Sequence, residues 1–340
     1  MREWFRSAIQ ELGGTTSKLI FTIAGFLLLW GVLAPVTTIV WWLNHSVEEI
    51  GLTEEKEQNP VANLPQNGAA KEVDCYIVFL PGVGNFSPDE IAPGEKYFIE
   101  QLAKKHPTCA VVRDVFPYSI ANRGLGSQRL LAPLWENAKN SDEWIGAVLI
   151  QLRNLWRFAI AADYRYSPVY SMGIANTIVE RMNVAHPISR SKQPINLILI
   201  STSGGTQVAL GSTAYLDKWL DARITLVSIG GAFDGNTGFN HFEHMYHFQG
   251  EKDKVPTLSY LVFPSRWNWS VSSPINQADR QERFTVCNSG SHEHSGDQGY
   301  FGTDKASDGT PYVEHTIDQV AQLPIWSMDQ PLTSQCPSVK

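Results

Sequence analysis

The sequence contains little cysteine and no cysteine motif for metal binding. Its four cysteines form neither a CxxC pair nor the Cys/His spacing of a zinc finger, which argues against a structural zinc site. The count is compatible with two disulfides or with four buried thiols. His241, His244 and His247 recur beside Glu243 without an HExxH arrangement, so we expect neither a metal ion nor a cofactor.

Positive charge is also in short supply. Lysine and arginine total 27 against 34 aspartates and glutamates, which gives a formal net charge of -7. Binding to the phosphate backbone of a nucleic acid needs clustered positive charge, so a nucleic-acid partner is not expected. Hydrophobic residues make up 43% of the chain and charged residues 18%, which is typical of a folded domain and excludes a disordered chain.

Charge is absent altogether from residues 19–42, LIFTIAGFLLLWGVLAPVTTIVWW. At about 1.5 Å per helical residue this stretch is long enough to cross a bilayer core of about 30 Å. The alternative is a cleaved signal peptide, whose apolar region is usually only about 7–15 residues long. The run ends at Trp41 and Trp42, which suit the membrane interface. We therefore predict a single-pass transmembrane helix at residues 19–42.

The charges that flank this span predict its orientation. Arg2, Arg6 and Lys18 precede it, whereas five glutamates and only Lys56 follow it closely. The positive-inside rule then places residues 1–18 in the cytoplasm and the main domain on the far side of the membrane. Residues 43–72 are polar and show no apolar period, so they are predicted to form a flexible linker.

Residues 73–322 alternate short apolar runs with helical patterns. The runs YIVFL, NLILI and ITLVSI are typical of strands buried on both faces of a parallel sheet. Strands that alternate with helices predict an α/β fold with a mainly parallel sheet, whose ligands bind beyond the carboxyl ends of the strands. Residues 117–189 hold helical patterns that form a candidate cap over the site, and residues 323–340 are assigned to a C-terminal tail.

The segment Ser201-Thr202-Ser203-Gly204-Gly205 directly follows the run NLILI. Centred on Ser203, it has small residues two positions before and two positions after, as a sharp strand-to-helix turn requires. It resembles the nucleophile elbow of the α/β-hydrolase superfamily, Gly-x-Ser-x-Gly, with Ser201 in place of the first glycine. The alternative is a turn without chemistry or a phosphate-binding loop, although no Walker-type lysine follows the glycines. The resemblance implies a three-layer α/β-hydrolase fold with Ser203 as its nucleophile.

Members of that superfamily order their catalytic residues as serine, acid and histidine along the chain. Residues 250–256, GEKDKVP, resemble the acid-bearing turn, which implies Asp253 as the acid and leaves Asp234 as the alternative. The loop after the last predicted strand holds two histidines. His294, with the glycines that follow it, resembles the histidine loop of several members, and His292 is the alternative base.

The segment Leu80-Pro81-Gly82-Val83-Gly84 resembles the superfamily's His-Gly-x-Gly turn, with Pro81 in the histidine position. In those enzymes this turn and the residue after the nucleophile supply the two N–H groups of the oxyanion hole. The resemblance therefore implies the backbone N–H groups of Val83 and Gly204. A plain Pro-Gly turn is the alternative.

Together these features imply a serine hydrolase of carboxylesterase or lipase-like type. It would cleave an ester, thioester or lipid-like acyl bond in a small-molecule or lipid substrate. Two alternatives are a catalytically inactive hydrolase-like domain that acts as a membrane-tethered binding module, and an acyltransferase that passes the acyl group to an alcohol or amine.

Overall fold

The computed structural model describes residues 73–120, 122, 144–188 and 194–337, which all belong to one compact unit, Asn59–Lys340. The predicted cytoplasmic segment 1–18, transmembrane helix 19–42 and linker 43–72 lie outside these residues. None of the helices that are described is both long and apolar enough to span a membrane.

Six strands of the described residues form one parallel sheet in the order β2-β1-β3-β4-β5-β6. Both β1 and β3 are buried along their whole length, as continuous apolar runs require when helices cover both faces of a sheet. The predicted parallel α/β sheet is therefore confirmed. The strands are β1 Cys75–Leu80, β2 Cys109–Val112, β3 Ile195–Thr202, β4 Ala222–Ile229, β5 His244–Gln249 and β6 Phe284–Asn288.

Helices lie on both faces of this sheet, which gives three layers. Helices α1 and α7 pack together against one face, where Phe98, Leu102 and Ile317 join the core, and α3 and α4 cover the other. The helices are α1 Pro93–Lys105, α2 Trp144–Ala162, α3 Ser167–Ala185, α4 Gly205–Trp219, α5 Val255–Val262, α6 Pro274–Arg280 and α7 Tyr312–Ala321.

The predicted cap at residues 117–189 is described only in part, and its second helix covers the sheet. Helix α3 packs on β1, β2 and α4. Its fully buried residues Ile174, Ile178 and Met182 recur every four positions, which forms the apolar stripe that a helix turns toward a core. Helix α2 packs on α3 and α4 and reaches the nucleophile, as described below.

Residues 323–337, which were predicted to belong to a C-terminal tail, pack on the same domain. Ile325 is fully buried, and the guanidinium group of Arg223 donates hydrogen bonds to four carbonyls of this segment. Cys336 is disulfide-bonded to Cys287 on β6, while a second disulfide joins Cys75 to Cys109 across β1 and β2. Of the two interpretations left open for the cysteines, the structure has the disulfides.

Candidate active site

Ser203 lies on the turn between β3 and α4 in a backbone conformation that residues other than glycine rarely adopt. Its φ angle is 47°, in the left-handed region. Hydrogen bonds hold it there, because its N–H donates to the carbonyl of Ile229 and its own carbonyl accepts from Thr206 and Ala232. Strained residues of this kind concentrate at functional sites.

The residues that flank Ser203 must be small for this turn to form. A Cβ atom at Gly205 would lie 2.5 Å from the carbonyl oxygen of Pro81, so no side chain fits there. Ser201, which departs from the superfamily pattern, is fully buried and donates a hydrogen bond of 3.1 Å to Oγ1 of Thr206. The serine is accommodated because its hydroxyl has a partner beneath the turn.

The structure brings three of the predicted site residues into one hydrogen-bonded series. Nε2 of His294 lies 3.0 Å from Oγ of Ser203, and Nδ1 of His294 lies 3.0 Å from both carboxylate oxygens of Asp253. The three residues follow β3, β5 and β6, whose carboxyl ends meet at one edge of the sheet. When Nδ1 carries the proton that faces the carboxylate, Nε2 is free to accept the serine proton.

Asp253 is held by further hydrogen bonds. Its side chain is fully buried, Oδ1 accepts the N–H of Val255 over 2.8 Å, and Oδ2 accepts the hydroxyl of Tyr300 over 2.8 Å. Burial raises the pKa of Tyr300, with the nearby charge of Asp253 as the next cause. The sequence did not predict a role for Tyr300, because nothing in the local sequence indicates its contact with Asp253.

His292, the alternative base, has different partners. Its Nε2 lies 3.1 Å from the carbonyl oxygen of Tyr312 and 3.3 Å from the hydroxyl of Thr316, both on α7. The ring is stacked on that of Tyr300, with centroids 5.2 Å apart. Burial lowers the pKa of His292. The structure thus places His294, and not His292, against Ser203.

Asp234, the alternative acid, is buried in a different turn. Oδ1 accepts the backbone N–H groups of Asn236 and Thr237, and Oδ2 accepts the hydroxyl of Thr237. Burial raises its pKa, which these hydrogen bonds counteract. Its carboxylate is therefore used to close the turn after β4 and not to orient a histidine.

The two residues predicted to form an oxyanion hole are adjacent. A Cβ atom at Gly82 would lie 3.1 Å from Cβ of Ser203, and one at Gly204 would lie 3.0 Å from Cγ1 of Val83. Gly204 is the N-cap residue of α4, at the helix end whose first N–H groups have no acceptor within the helix. The loop after β1 and the start of α4 therefore face one another beside the nucleophile.

Two asparagines hold the loop after β1. The carbonyl of Gly82 accepts the backbone N–H of Asn85 over 3.3 Å, and the carbonyl of Val83 accepts the side-chain amide of Asn154 over 2.8 Å. The peptide group is planar and trans, so a carbonyl held on one side directs the following N–H to the other. The contact between Gly82 and Asn85 thus orients the N–H of Val83.

The buried carboxyl group of Glu95 contacts both this loop and the end of β3. Oε2 of Glu95 accepts the amide of Asn85 over 3.1 Å, and Oε1 accepts the hydroxyl of Thr202 over 3.3 Å. Burial raises the pKa of Glu95, and these hydrogen bonds oppose the rise. The sequence held one signal that Glu95 is buried, because the residue lies on the same face of α1 as the apolar residues Phe98 and Leu102.

Two aromatic side chains lie near Gly204, the residue that follows the nucleophile. Cδ2 of Phe158, on α2, would lie 3.2 Å from a Cβ atom at Gly204, and its ring meets that of Phe263 edge to face at 6.2 Å. Both phenylalanines are only partly buried. An apolar part of a substrate would therefore find apolar surface next to Ser203.

The histidines at 241, 244 and 247 have separate partners. They contact Asp217, Thr285 and Ser228, respectively. Within the ranges that the structure describes, no group of three or more histidine, cysteine, aspartate or glutamate residues could hold a metal ion.

No protein-family model matches this chain, and no curated protein matches it. Two solved structures are similar in part. One is a dienelactone hydrolase-like promiscuous phosphotriesterase from metagenomic libraries, with a TM-score of 0.37 and 11% identity over 66% of this chain and 73% of that one. The other is esterase PE8, with a TM-score of 0.38 and 12% identity over 76% of this chain and 95% of that one. Scores of this size identify neither a family nor an activity, so the chemistry rests on the side chains described above.

Proposed function

We propose that this chain is a serine hydrolase of the α/β-hydrolase kind, which cleaves an ester, thioester or lipid-like acyl bond through an acyl-enzyme. The observation that carries the proposal is the series Ser203, His294 and Asp253, whose contacts are all 3.0 Å. Distances of this size allow direct proton transfer between a nucleophile and its base.

In the proposed reaction Oγ of Ser203 attacks the acyl carbon while Nε2 of His294 takes the hydroxyl proton. Asp253 stabilises the imidazolium that forms, and the N–H groups of Val83 and Gly204 stabilise the negative oxygen of the tetrahedral intermediate. His294 then gives the proton to the leaving group as the acyl bond breaks. Water attacks the acyl-enzyme by the same steps, which releases the acid and restores Ser203.

The strained conformation of Ser203 supports catalysis over an inactive binding module. Backbone strain of this kind costs on the order of 1–3 kcal/mol, and here it occurs at the residue whose hydroxyl lies 3.0 Å from Nε2 of His294, the arrangement of a nucleophile and its base. The partly exposed rings of Phe158 and Phe263 favour a substrate with an apolar acyl part. An acyltransferase would share the first half of the reaction and differ only in the acceptor.

Labelling with a fluorophosphonate probe tests the proposal on the solubilised full-length protein. We expect the wild type to react, Ser203→Ala to remain unlabelled, and the control Ser212→Ala to react like the wild type. Ser212 is buried on α4, where its hydroxyl bonds to the carbonyl of Ala209. Equally weak labelling of the wild type and Ser203→Ala would overturn the enzymatic function. Strong labelling, with ester turnover only when an alcohol or amine is added, would favour the acyltransferase.

We also propose that residues 19–42 anchor this domain on the non-cytoplasmic side of a membrane. The two disulfides support this location, because disulfides persist in oxidising compartments and are rare in the cytosol. Protease digestion of sealed membrane vesicles tests the orientation. We expect the domain to be cut only from its predicted side, and digestion from the cytoplasmic side would contradict the proposal.

A further inference from the structure

We propose that Tyr300 is a positioning residue, whose hydroxyl orients the carboxylate of Asp253 and limits the basicity of His294. This inference rests on the proposed function, in which Asp253 acts on the reaction through His294. Tyr300 itself touches neither Ser203 nor the place where the substrate reacts in that mechanism.

The hydroxyl of Tyr300 faces Asp253 on its donor side and Gly250 and Ser289 on its acceptor side, and these contacts define its direction. It donates to Oδ2 of Asp253 over 2.8 Å and accepts the N–H of Gly250 over 2.8 Å. Tyr300 is 2% exposed, so water does not compete freely for either contact. Because Gly250 occupies the acceptor side, the single hydroxyl proton is directed at the carboxylate.

The backbone leaves room for this contact at Gly230. This glycine has a φ of +56°, and a Cβ atom there would lie 2.6 Å from Cε2 of Tyr300 and 2.8 Å from Oδ2 of Asp253. Any side chain at this position would displace both partners of the hydrogen bond. The absence of a side chain at Gly230 therefore allows the ring and the carboxylate to meet.

Helix α7 holds Tyr300 in place, both directly and through His292. The ring of His292 is stacked on that of Tyr300 with an angle of 10° between the planes, and His292 is itself bonded to the carbonyl of Tyr312. The hydroxyl of Thr316 donates to the carbonyl of Tyr300 over 2.7 Å. His292, the histidine that does not contact Ser203, thus supports Tyr300.

The contact has a chemical consequence as well as a geometric one. A hydrogen bond to a carboxylate stabilises its negative charge, so Asp253 attracts the proton on Nδ1 of His294 less strongly than it would alone. Removing the hydroxyl should therefore make His294 a stronger base. The reaction requires neutral His294, so the acid limb of its pH profile should move to higher pH.

Tyr300→Phe tests this, with Tyr312→Phe as a matched control. The ring of Tyr312 also contacts His292, at 5.0 Å, but its hydroxyl lies 3.3 Å from Oγ of Ser291 and bonds to no proposed catalytic residue. Each variant loses one buried tyrosine hydroxyl beside the same histidine. Only Tyr300→Phe changes the hydrogen bonds of Asp253.

We expect Tyr300→Phe to move the acid limb of kcat/KM upward by about half a pH unit or more, because hydrogen bonds to charged groups are among the stronger ones. Tyr312→Phe should leave the limb within about 0.2 unit of the wild type, since it removes no bond to the carboxylate.

An NMR titration of His294 in both variants reads the same change without turnover. If Tyr300→Phe has the same His294 titration and the same acid limb as the wild type, the proposal is overturned, whatever the stability of the variant. A shifted titration without labelling at Ser203 would overturn only the proposed function.

Discussion

The hydroxyl of Ser201 donates a hydrogen bond of 3.1 Å to Oγ1 of Thr206, two positions before the strained Ser203. Thr206 lies 3.2 Å from the hydroxyl of Ser228, which in turn lies 3.0 Å from Nδ1 of His247. A buried series of side chains therefore connects β3, α4, β4 and β5 beneath the turn. The residue that departs from the glycine of the superfamily pattern is the first member of this series.

Replacing Ser201 by glycine should destabilise the protein without abolishing its chemistry. Ser201→Gly removes a buried hydrogen bond worth about 1 kcal/mol and adds backbone freedom worth about 0.5–1 kcal/mol. We expect the free energy of unfolding in urea to fall by about 1.5–2 kcal/mol in total, with labelling of Ser203 retained. Ser201→Ala removes only the hydroxyl and should lose about 1 kcal/mol, the hydrogen-bond part of this total. A glycine variant as stable as the wild type would contradict this account of the series.

The two buried aspartates should respond differently to loss of charge. Asp253→Asn should lower kcat by about a thousandfold or more, because an amide does not hold His294 in the required tautomer. Asp234→Asn should keep activity within a few-fold and lose stability instead, since its oxygens bond to Asn236 and Thr237. Ester turnover and urea unfolding of both variants distinguish the cases. Equal losses of activity would contradict the assignment of the acid.

Asn154 should affect the reaction through the loop that it holds. Asn154→Ala removes the amide that bonds to the carbonyls of Val83 and Asn85, so the oxyanion loop is less well oriented. We expect kcat to fall by about tenfold with little change in KM, because the oxyanion forms only in the transition state.

Asn276→Ala is the matched control for this loop variant. Asn276 also donates twice to a loop, at the carbonyls of Trp267 and Ser270, but it holds no part of the proposed oxyanion hole. Its kcat should stay close to that of the wild type. A similar fall of kcat in both variants would show a general loss of structure instead of an effect on Val83.

Acid should destabilise the domain through its buried histidines. Burial lowers the pKa of His247 to about 3 and that of His244 to about 4. As the pH falls below about 6.5 the unfolded chain takes up protons that the folded protein does not, so the stability present above that pH is progressively lost. For the fully buried His247 the loss approaches about 1.4 kcal/mol per pH unit between pH 6 and 4.

Urea unfolding at several pH values tests this dependence. His247→Asn should reduce the slope of stability against pH by about the contribution of one histidine, whatever its effect on stability at pH 7. Equal slopes in His247→Asn and the wild type would show that His247 does not carry the effect.

Local features of the sequence were sufficient for the strands and for the nucleophile turn. The run NLILI predicted a buried strand, and the small residues around Ser203 predicted the sharp turn, because strand burial and turn sterics depend on neighbours in the chain. The supports of the site were not predictable in this way. Glu95, on the helix that follows the loop, bonds to Asn85, and Asn154 bonds to the carbonyl of Val83 from the separate helix α2. No local pattern indicates which group such a side chain meets.

The sequence by itself determined the parallel sheet, the position of Ser203 and a short set of partners that follow it along the chain. It favoured His294 through the resemblance of the residues that follow it and left His292 as the alternative, because both lie in one loop. Only the tertiary structure decided between them, since α7 binds the ring nitrogen of His292 while the carboxyl ends of β3 and β5 bring Ser203 and Asp253 to His294. The physical reason is that a hydrogen bond depends on distances in space, which residues far apart in the chain set together.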